Sequence, residues 1–191
     1  MVKRVFIIHG WGGSPGGWHL WMRDELKKKG FEVFNPQMPN TDTPKIEEWV
    51  GHLEKLVGKA DEDTYFLGHS IGSQAVMRYL ERLPEGVKVG GVVFVAGFFY
   101  SNTERMEDLG KSIIKPWLET PIDCEEIKKH AGKIVAIFSD NDKHIPLKNK
   151  KLFAEKLHAK IIVEHNKGHY IAEDKISTVP VALAALNSMY E

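Results

Sequence analysis

The sequence lacks the features on which several large classes of function depend. Its single cysteine, Cys124, excludes an internal disulfide and a cysteine-based metal cluster. Its 26 Lys and Arg residues balance 26 Asp and Glu residues, so no net charge favours nucleic acid or an anionic membrane as a partner. No apolar run reaches the roughly 18 residues of a membrane span, and the first one is too short for a signal peptide. We therefore expect a cytoplasmic protein that binds neither nucleic acid nor membrane.

Short apolar segments alternate with longer segments whose apolar residues recur at helical spacing. Most of the short segments are apolar on both faces, as are the strands of a parallel sheet covered by helices. This alternation predicts a doubly wound α/β fold in a single domain, residues 1–191, a length that buries one sizeable core. Predicted strands cover residues 5–10, 31–37, 64–69, 89–97, 133–140 and 160–166, and predicted helices cover 17–30, 44–60, 71–83, 146–159 and 174–190.

Residues 98–130 interrupt the alternation. The segment is long for a connection, and it contains Gly110, Pro116 and Pro121. We expect it to form short helical pieces that lie, like a lid, over one edge or end of the sheet.

The segment FLGHSIGSQA, residues 66–75, places Ser70 between Gly68 and Gly72 where a predicted strand meets a predicted helix. A serine on such a sharp turn projects its hydroxyl toward substrate, and the two glycines remove side chains that would collide with the turn or the helix. The turn also lies at a helix N-terminus, where free N–H groups favour developing negative charge. An ordinary helix start with Ser70 as N-cap is the alternative.

Two further residues complete a predicted catalytic triad. A nucleophilic serine needs a base, and the base needs an acid that orients it and stabilises its charged form. Asp142 follows the strand at 133–140 and His169 follows the strand at 160–166, so both reach the edge of the sheet where Ser70 lies. The order Ser, Asp, His is the one expected in this type of fold.

Neighbouring residues compete for the roles of acid and base. Asp140 is an alternative acid, although its position nearer the strand end suits turn hydrogen bonding better. His165 is an alternative base, but it still belongs to a strand end and is less free to reach the nucleophile. Of the other histidines, His144 is a candidate for lining the pocket, His69 is predicted to point away from it as a structural residue, and His9 is predicted to shape a loop.

An oxyanion intermediate needs N–H donors. The backbone N–H of Ile71, which follows Ser70, is predicted to supply one, and that of Trp11 the second. Trp11 belongs to the glycine-rich loop HGWGGSPGGWH, residues 9–19, whose backbone can approach a substrate closely. The loop lacks the Gly-Lys-Ser/Thr ending and the G-x-G-x-x-G spacing of nucleotide-binding loops, so no nucleotide is predicted, and no metal either.

Together these motifs resemble those of the α/β-hydrolases, and more narrowly those of the small serine hydrolases related to retinoblastoma-binding protein and to bacterial YdeN-like proteins. The resemblance covers almost the whole chain and rests on VFIIHGWGGSP, GHSIGS, VVFVAGFF, IKPWLETPID, FSDNDKHIP and KGHY. It implies a six-stranded sheet in the order 2-1-3-4-5-6 without a large cap domain. It also implies hydrolysis of small carboxylic esters, and less directly of amides or thioesters, with no cofactor.

The predicted activity is that of a carboxylesterase-like serine hydrolase that acts on a small acyl substrate through an acyl-enzyme. Phe98, Phe99, Trp117 and His144 are predicted to wall its pocket. The alternative is a protein-binding module that retains the hydrolase fold and binds a protein partner through a surface around residues 98–130 that includes Trp117. The sequence leaves the oligomeric state open.

Overall fold

A computed structural model describes residues 2–190, in which six strands form one sheet with every neighbouring pair parallel. The order across the sheet is β2-β1-β3-β4-β5-β6, which confirms the predicted order. The strands are β1 (Arg4–Ile8), β2 (Glu32–Phe34), β3 (Thr64–His69), β4 (Gly91–Val95), β5 (Ile134–Ser139) and β6 (Lys160–Glu164).

The central strands are apolar on both faces because helices cover both faces of the sheet. Every residue of β3, β4 and β5 is buried, whereas the edge strand β6 leaves Val163 exposed. Aromatic rings pack against one another across neighbouring strands. The ring of Phe6 stacks on that of Phe34, with centroids 4.6 Å apart, and on that of Phe66, with centroids 5.5 Å apart. This burial fixes the register of the strands and so fixes where each strand ends.

Helices pack on the sheet in two groups. Helices α1 and α7 contact each other on one face, while α2, α3, α5 and α6 form a chain of contacts on the other. Among residues 2–190, no helix is both long and apolar enough to cross a membrane. The helices are α1 (Gly17–Lys28), α2 (Ile46–Val57), α3 (Ile71–Leu80), α4 (Asp108–Glu119), α5 (Cys124–His130), α6 (Asn149–Leu157) and α7 (Pro180–Tyr190).

The strand order reverses direction at β1, which lies between β2 and β3. In open parallel sheets, ligands bind in the crevice outside the carboxyl ends of the strands at such a switch point. The loop after β1 and the turn after β3 both lie there. The residues that immediately follow β1 and β3 are therefore expected to line a ligand site.

Within residues 98–130, helix α4 is longer than the short pieces that the sequence predicts. It extends for 12 residues through Pro116, even though proline interrupts the hydrogen-bond ladder of a helix. The buried side chains of Ile114 and Trp117 hold this helix against the rest of the molecule. Tertiary packing has thus overridden the helix-breaking signal of the proline.

Candidate active site

Ser70 occupies a strained turn between β3 and α3. Its φ of 53° lies in the left-handed region, which residues other than glycine rarely adopt, and the turn projects the serine away from both β3 and α3. A Cβ on Gly68 would lie 2.7 Å from the Cα of Ser73, and one on Gly72 would overlap the carbonyl oxygen of Ile8. Glycine at these two positions is therefore a steric requirement of the turn.

His169 and Asp142 form a line of hydrogen bonds with Ser70. The Nε2 atom of His169 lies 2.9 Å from Ser70 Oγ, and its Nδ1 atom lies 2.8 Å from Asp142 Oδ2. The other oxygen of Asp142, Oδ1, accepts hydrogen bonds from the backbone N–H groups of His144 (2.8 Å) and Ile145 (2.9 Å). The carboxylate is 2% exposed, so its orientation toward the imidazole is fixed by the loop that carries it.

The competing pair, Asp140 and His165, lies at the same sheet edge but forms a separate unit. Asp140 Oδ2 bonds to His165 Nδ1 at 2.5 Å, and Asp140 Oδ1 accepts the N–H of Asn166 at 2.9 Å. The imidazole of His165 is largely exposed to solvent. This pair connects the ends of β5 and β6 and forms no hydrogen bond with Ser70 among the described residues.

The loop after β1 approaches the turn that carries Ser70. A Cβ on Gly10 would lie 3.2 Å from Ser70 Cβ, so glycine permits the close approach. Buried His9 holds the loop by donating from Nδ1 to the carbonyl of Gly10 at 2.8 Å. Ile71 is the first residue of α3, and its N–H therefore has no acceptor within that helix. Trp11 and Ile71 both line the cavity above Ser70.

A cavity of about 270 Å³ opens above Ser70 and His169. Phe98 and His144, two of the four predicted pocket residues, line it, and the ring centroid of His144 lies 4.9 Å from that of His169. Burial, and then the positive charge of His169, lower the pKa of His144. Among the described side chains that line the cavity, none is a lysine, arginine, aspartate or glutamate.

The other two predicted pocket residues, Phe99 and Trp117, line a different cavity of about 240 Å³. Trp117 is 1% exposed, and its Nε1–H donates to the carbonyl of Pro44 at 3.0 Å. Its ring is therefore part of the packing between α4 and α2, where neither a substrate above Ser70 nor a protein partner reaches it. Both phenylalanines lie beyond the end of β4, so the path of the chain after the strand, and not the alternation of strand residues, places Phe98 in the Ser70 cavity and Phe99 in the other.

Two further cavities do not contain the predicted triad. One of about 390 Å³ lies beside the glycine-rich loop and shares Trp11 and Ile171 with the cavity above Ser70. A larger one, of about 610 Å³, lies between α2, α3 and α4. Among residues 2–190, no group of three or more His, Cys, Asp or Glu side chains is placed to hold a metal ion.

Most of the residues that hold the loop carrying His169 could not be predicted from the sequence. Gly168 has a φ of 56° and lies so close to Asp174 that a Cβ would overlap the carboxylate. This glycine, directly before His169, is the one local sequence feature that indicates a tightly held loop. Apart from the bond between His169 and Asp174, the contacts join residues far apart in the chain and leave no local pattern. The backbone bonds of the loop are Lys167 N to Ser139 Oγ (2.9 Å), Gly168 N to Asn141 Oδ1 (2.8 Å), His169 N to Asp174 Oδ2 (2.7 Å), Trp18 Nε1 to Tyr170 O (2.8 Å) and His69 Nε2 to His169 O (2.8 Å).

Comparison with known proteins agrees with the geometry. A family model described as serine hydrolase matches residues 5–188. The chain belongs to the serine hydrolase family. Over 192 residues it is 28% identical to YdeN of Bacillus subtilis strain 168, covering 100% of this chain and 97% of that protein. Over 171 residues it is 28% identical to serine hydrolase RBBP9 of Rattus norvegicus, covering 87% of each chain.

Solved structures extend this similarity to three dimensions. The crystal structure of the ydeN gene product from B. subtilis matches this serine hydrolase with a TM-score of 0.90 and 26% identity, over 99% of both chains. Monoacylglycerol lipase of Paleococcus ferrophilus matches with a TM-score of 0.74 and 16% identity, over 97% of this chain and 93% of the lipase. The lipase shares the fold, and at this identity the likeness extends no further.

Proposed function

We propose that this serine hydrolase cleaves small carboxylic esters, with Ser70 as nucleophile, His169 as general base and Asp142 as the acid that orients the base. The observation that carries the proposal is the unbroken line of hydrogen bonds from Ser70 Oγ to His169 Nε2 and from His169 Nδ1 to Asp142 Oδ2. Because the carboxylate accepts the Nδ1–H, the lone pair of Nε2 is left free to accept the serine proton.

The chemistry proceeds through an acyl-enzyme. His169 removes the proton of Ser70 as the hydroxyl oxygen attacks the acyl carbon, and Asp142 stabilises the resulting imidazolium. The imidazolium then protonates the departing alcohol. In the second half of the reaction His169 removes a proton from water as the water oxygen attacks the acyl carbon. The imidazolium then returns a proton to Ser70 Oγ as the bond between that oxygen and the acyl carbon breaks, which releases the acid and restores both side chains.

The backbone N–H groups of Ile71 and Trp11 are the proposed donors to the oxyanion. Ile71 N–H lies at the start of α3, where the helix dipole adds to the attraction for negative charge. Trp11 is held in the loop by its indole Nε1–H, which donates to the carbonyl of Asp42 at 2.9 Å. Anchoring this side chain fixes the backbone that carries the second donor.

The cavity above Ser70 favours a short, uncharged acyl group. Its volume of about 270 Å³ lies below the roughly 300–1,000 Å³ that is usual for sites of drug-sized ligands. Its apolar wall includes Phe98, Ile114 and Ile145, and the described side chains that line it include no lysine or arginine to pair with an ionised acyl group. Amides and thioesters of such acids would meet the same side chains and differ only in the leaving group.

The test is covalent labelling of the purified protein with a fluorophosphonate, read as intact mass, beside the variants Ser70→Ala and His169→Ala. We expect one adduct on the native chain and none on either variant. The native protein should also hydrolyse the p-nitrophenyl esters of acetate and butyrate faster than that of laurate. An adduct that persists in Ser70→Ala, or a folded native chain that neither labels nor hydrolyses these esters, would overturn the proposal.

A further inference from the structure

His69 lies between the proposed nucleophile and the loop that carries the proposed base. It is the last residue of β3, directly before Ser70, and it is 4% exposed. Its Nε2 atom lies 2.8 Å from the carbonyl oxygen of His169, and the two rings have centroids 5.2 Å apart. A carbonyl oxygen can only accept, so Nε2 of His69 carries the hydrogen in this contact.

The surroundings of His69 keep its ring neutral. Burial, followed by electrostatic interaction with His169 and His19, lowers its pKa well below the ordinary value. The rings of Trp18 and His19 pack against it with centroids 5.4 Å away. A neutral imidazole carries one hydrogen, and the bond to His169 requires that hydrogen on Nε2.

The bond from His69 differs in origin from the other bonds that hold the loop of His169. Ser139 and Asn141 bind the loop from the end of β5, Trp18 binds it from α1, and Asp174 binds it from within the same connection. Apart from Ser70 itself, only His69, among the described residues that bind this loop, belongs to the turn that carries the nucleophile. A displacement of the turn is therefore transmitted to the backbone of the loop through the side chain of His69.

We infer that His69 is a positioning residue that couples Ser70 to His169 by holding the carbonyl of the base from the residue adjacent to the nucleophile. The inference rests on the proposed function, because it assigns a task within the same reaction. A misplacement of reacting groups by about 1 Å can cost about 100-fold in rate. A bond that fixes the distance between nucleophile and base therefore affects the chemical step more than it affects substrate binding.

Three variants separate the hydrogen bond from the packing of the ring. In His69→Gln the side-chain Nε2 can reach the same carbonyl, in His69→Asn the donor is one bond shorter, and in His69→Leu no donor remains. We expect kcat for p-nitrophenyl acetate to fall about 10- to 100-fold in the Leu and Asn variants, with KM within about twofold. The Gln variant should stay within about threefold of the native kcat.

The outcomes distinguish this inference from the proposed function. If the native chain neither labels with fluorophosphonate nor hydrolyses the ester, the proposed function fails. If the native chain is active and the Leu variant matches it, or the Gln variant falls as far as Leu, only the coupling by His69 is overturned. Nitrogen-15 NMR of the native protein tests the bond without any variant, since a hydrogen on Nδ1 instead of Nε2 of His69 would also overturn it.

Discussion

Asp142 divides its two carboxylate oxygens between the base and the loop. Oδ2 faces Nδ1 of His169, while Oδ1 accepts the N–H groups of His144 and Ile145. In Asp142→Asn the amide oxygen can keep both loop bonds, but the NH₂ group would face Nδ1 and select the tautomer with its hydrogen on Nε2. That tautomer cannot accept the proton of Ser70. We expect kcat for p-nitrophenyl acetate to fall about 1,000- to 10,000-fold with little change in melting temperature.

Asp140 supplies the matched control for this substitution. It is the alternative acid in the sequence, it lies two residues away, and it pairs with His165 instead of His169. Asp140→Asn should leave kcat within about threefold of the native value, because the exposed pair does not contact Ser70. If Asp140→Asn loses as much activity as Asp142→Asn, Asp142 is not the orienting acid.

Helix α4 depends on a buried arginine of α3 for its C-terminal end. Arg78 is 1% exposed, and its guanidinium donates to the carbonyls of Trp117 (3.1 Å), Thr120 (2.8 Å) and Pro121 (3.2 Å). No carboxylate lies within ion-pair distance of it among the described residues. The positive charge therefore interacts with the negative end of the helix dipole and with carbonyls that α4 itself leaves unpaired.

Replacing Arg78 should loosen α4 and lower the stability of the fold. We expect Arg78→Met to reduce the free energy of unfolding by about 3 kcal/mol, because buried carbonyls lose charged donors. Arg82→Met is the control: Arg82 lies one turn later and pairs at the surface with Glu47, so its removal should cost less than about 1 kcal/mol. Urea unfolding monitored by circular dichroism measures both values. Equal losses in the two variants would refute the role given to Arg78.

At the scale of the whole molecule, the strands and the members of the proposed triad could be predicted from local sequence patterns, whereas the order of the strands across the sheet came from the resemblance to the α/β-hydrolases. Each strand is a short apolar run, and Ser70, Asp142 and His169 each come just after one. The bond between His69 and His169 joins residues separated by 100 positions, and no periodic pattern records it. The pocket walls were harder to predict, because whether Phe98 or Phe99 faces the cavity depends on the direction of the chain beyond the strand end.

Three buried histidines make the stability of the molecule depend on pH. His9, His19 and His69 are at most 7% exposed, and burial is the first cause that lowers the pKa of each, to about 3 for His19. In the unfolded chain they titrate near pH 6.5. Below that pH the unfolded state binds more protons than the folded state, so the free energy of unfolding falls as pH decreases. From pH 7 to pH 5.5 the expected loss is about 1.2 kcal/mol for each histidine that stays neutral in the fold.

His19→Phe isolates one of these contributions. The ring of His19 stacks on Trp18 with centroids 3.9 Å apart, and phenylalanine can keep this packing while removing the titrating group. Any effect of the substitution on packing acts at both pH values alike, so it cancels in the difference between them. Urea unfolding at pH 7 and pH 5.5 should show that the free energy of unfolding falls by about 1 kcal/mol less in His19→Phe than in the native chain.

His158→Asn, a substitution at an exposed position, is the control and should leave the native fall in the free energy of unfolding unchanged. If the drop is the same in His19→Phe as in the native chain, His19 must take up its proton in the fold as readily as in the unfolded state, and burial does not keep it neutral.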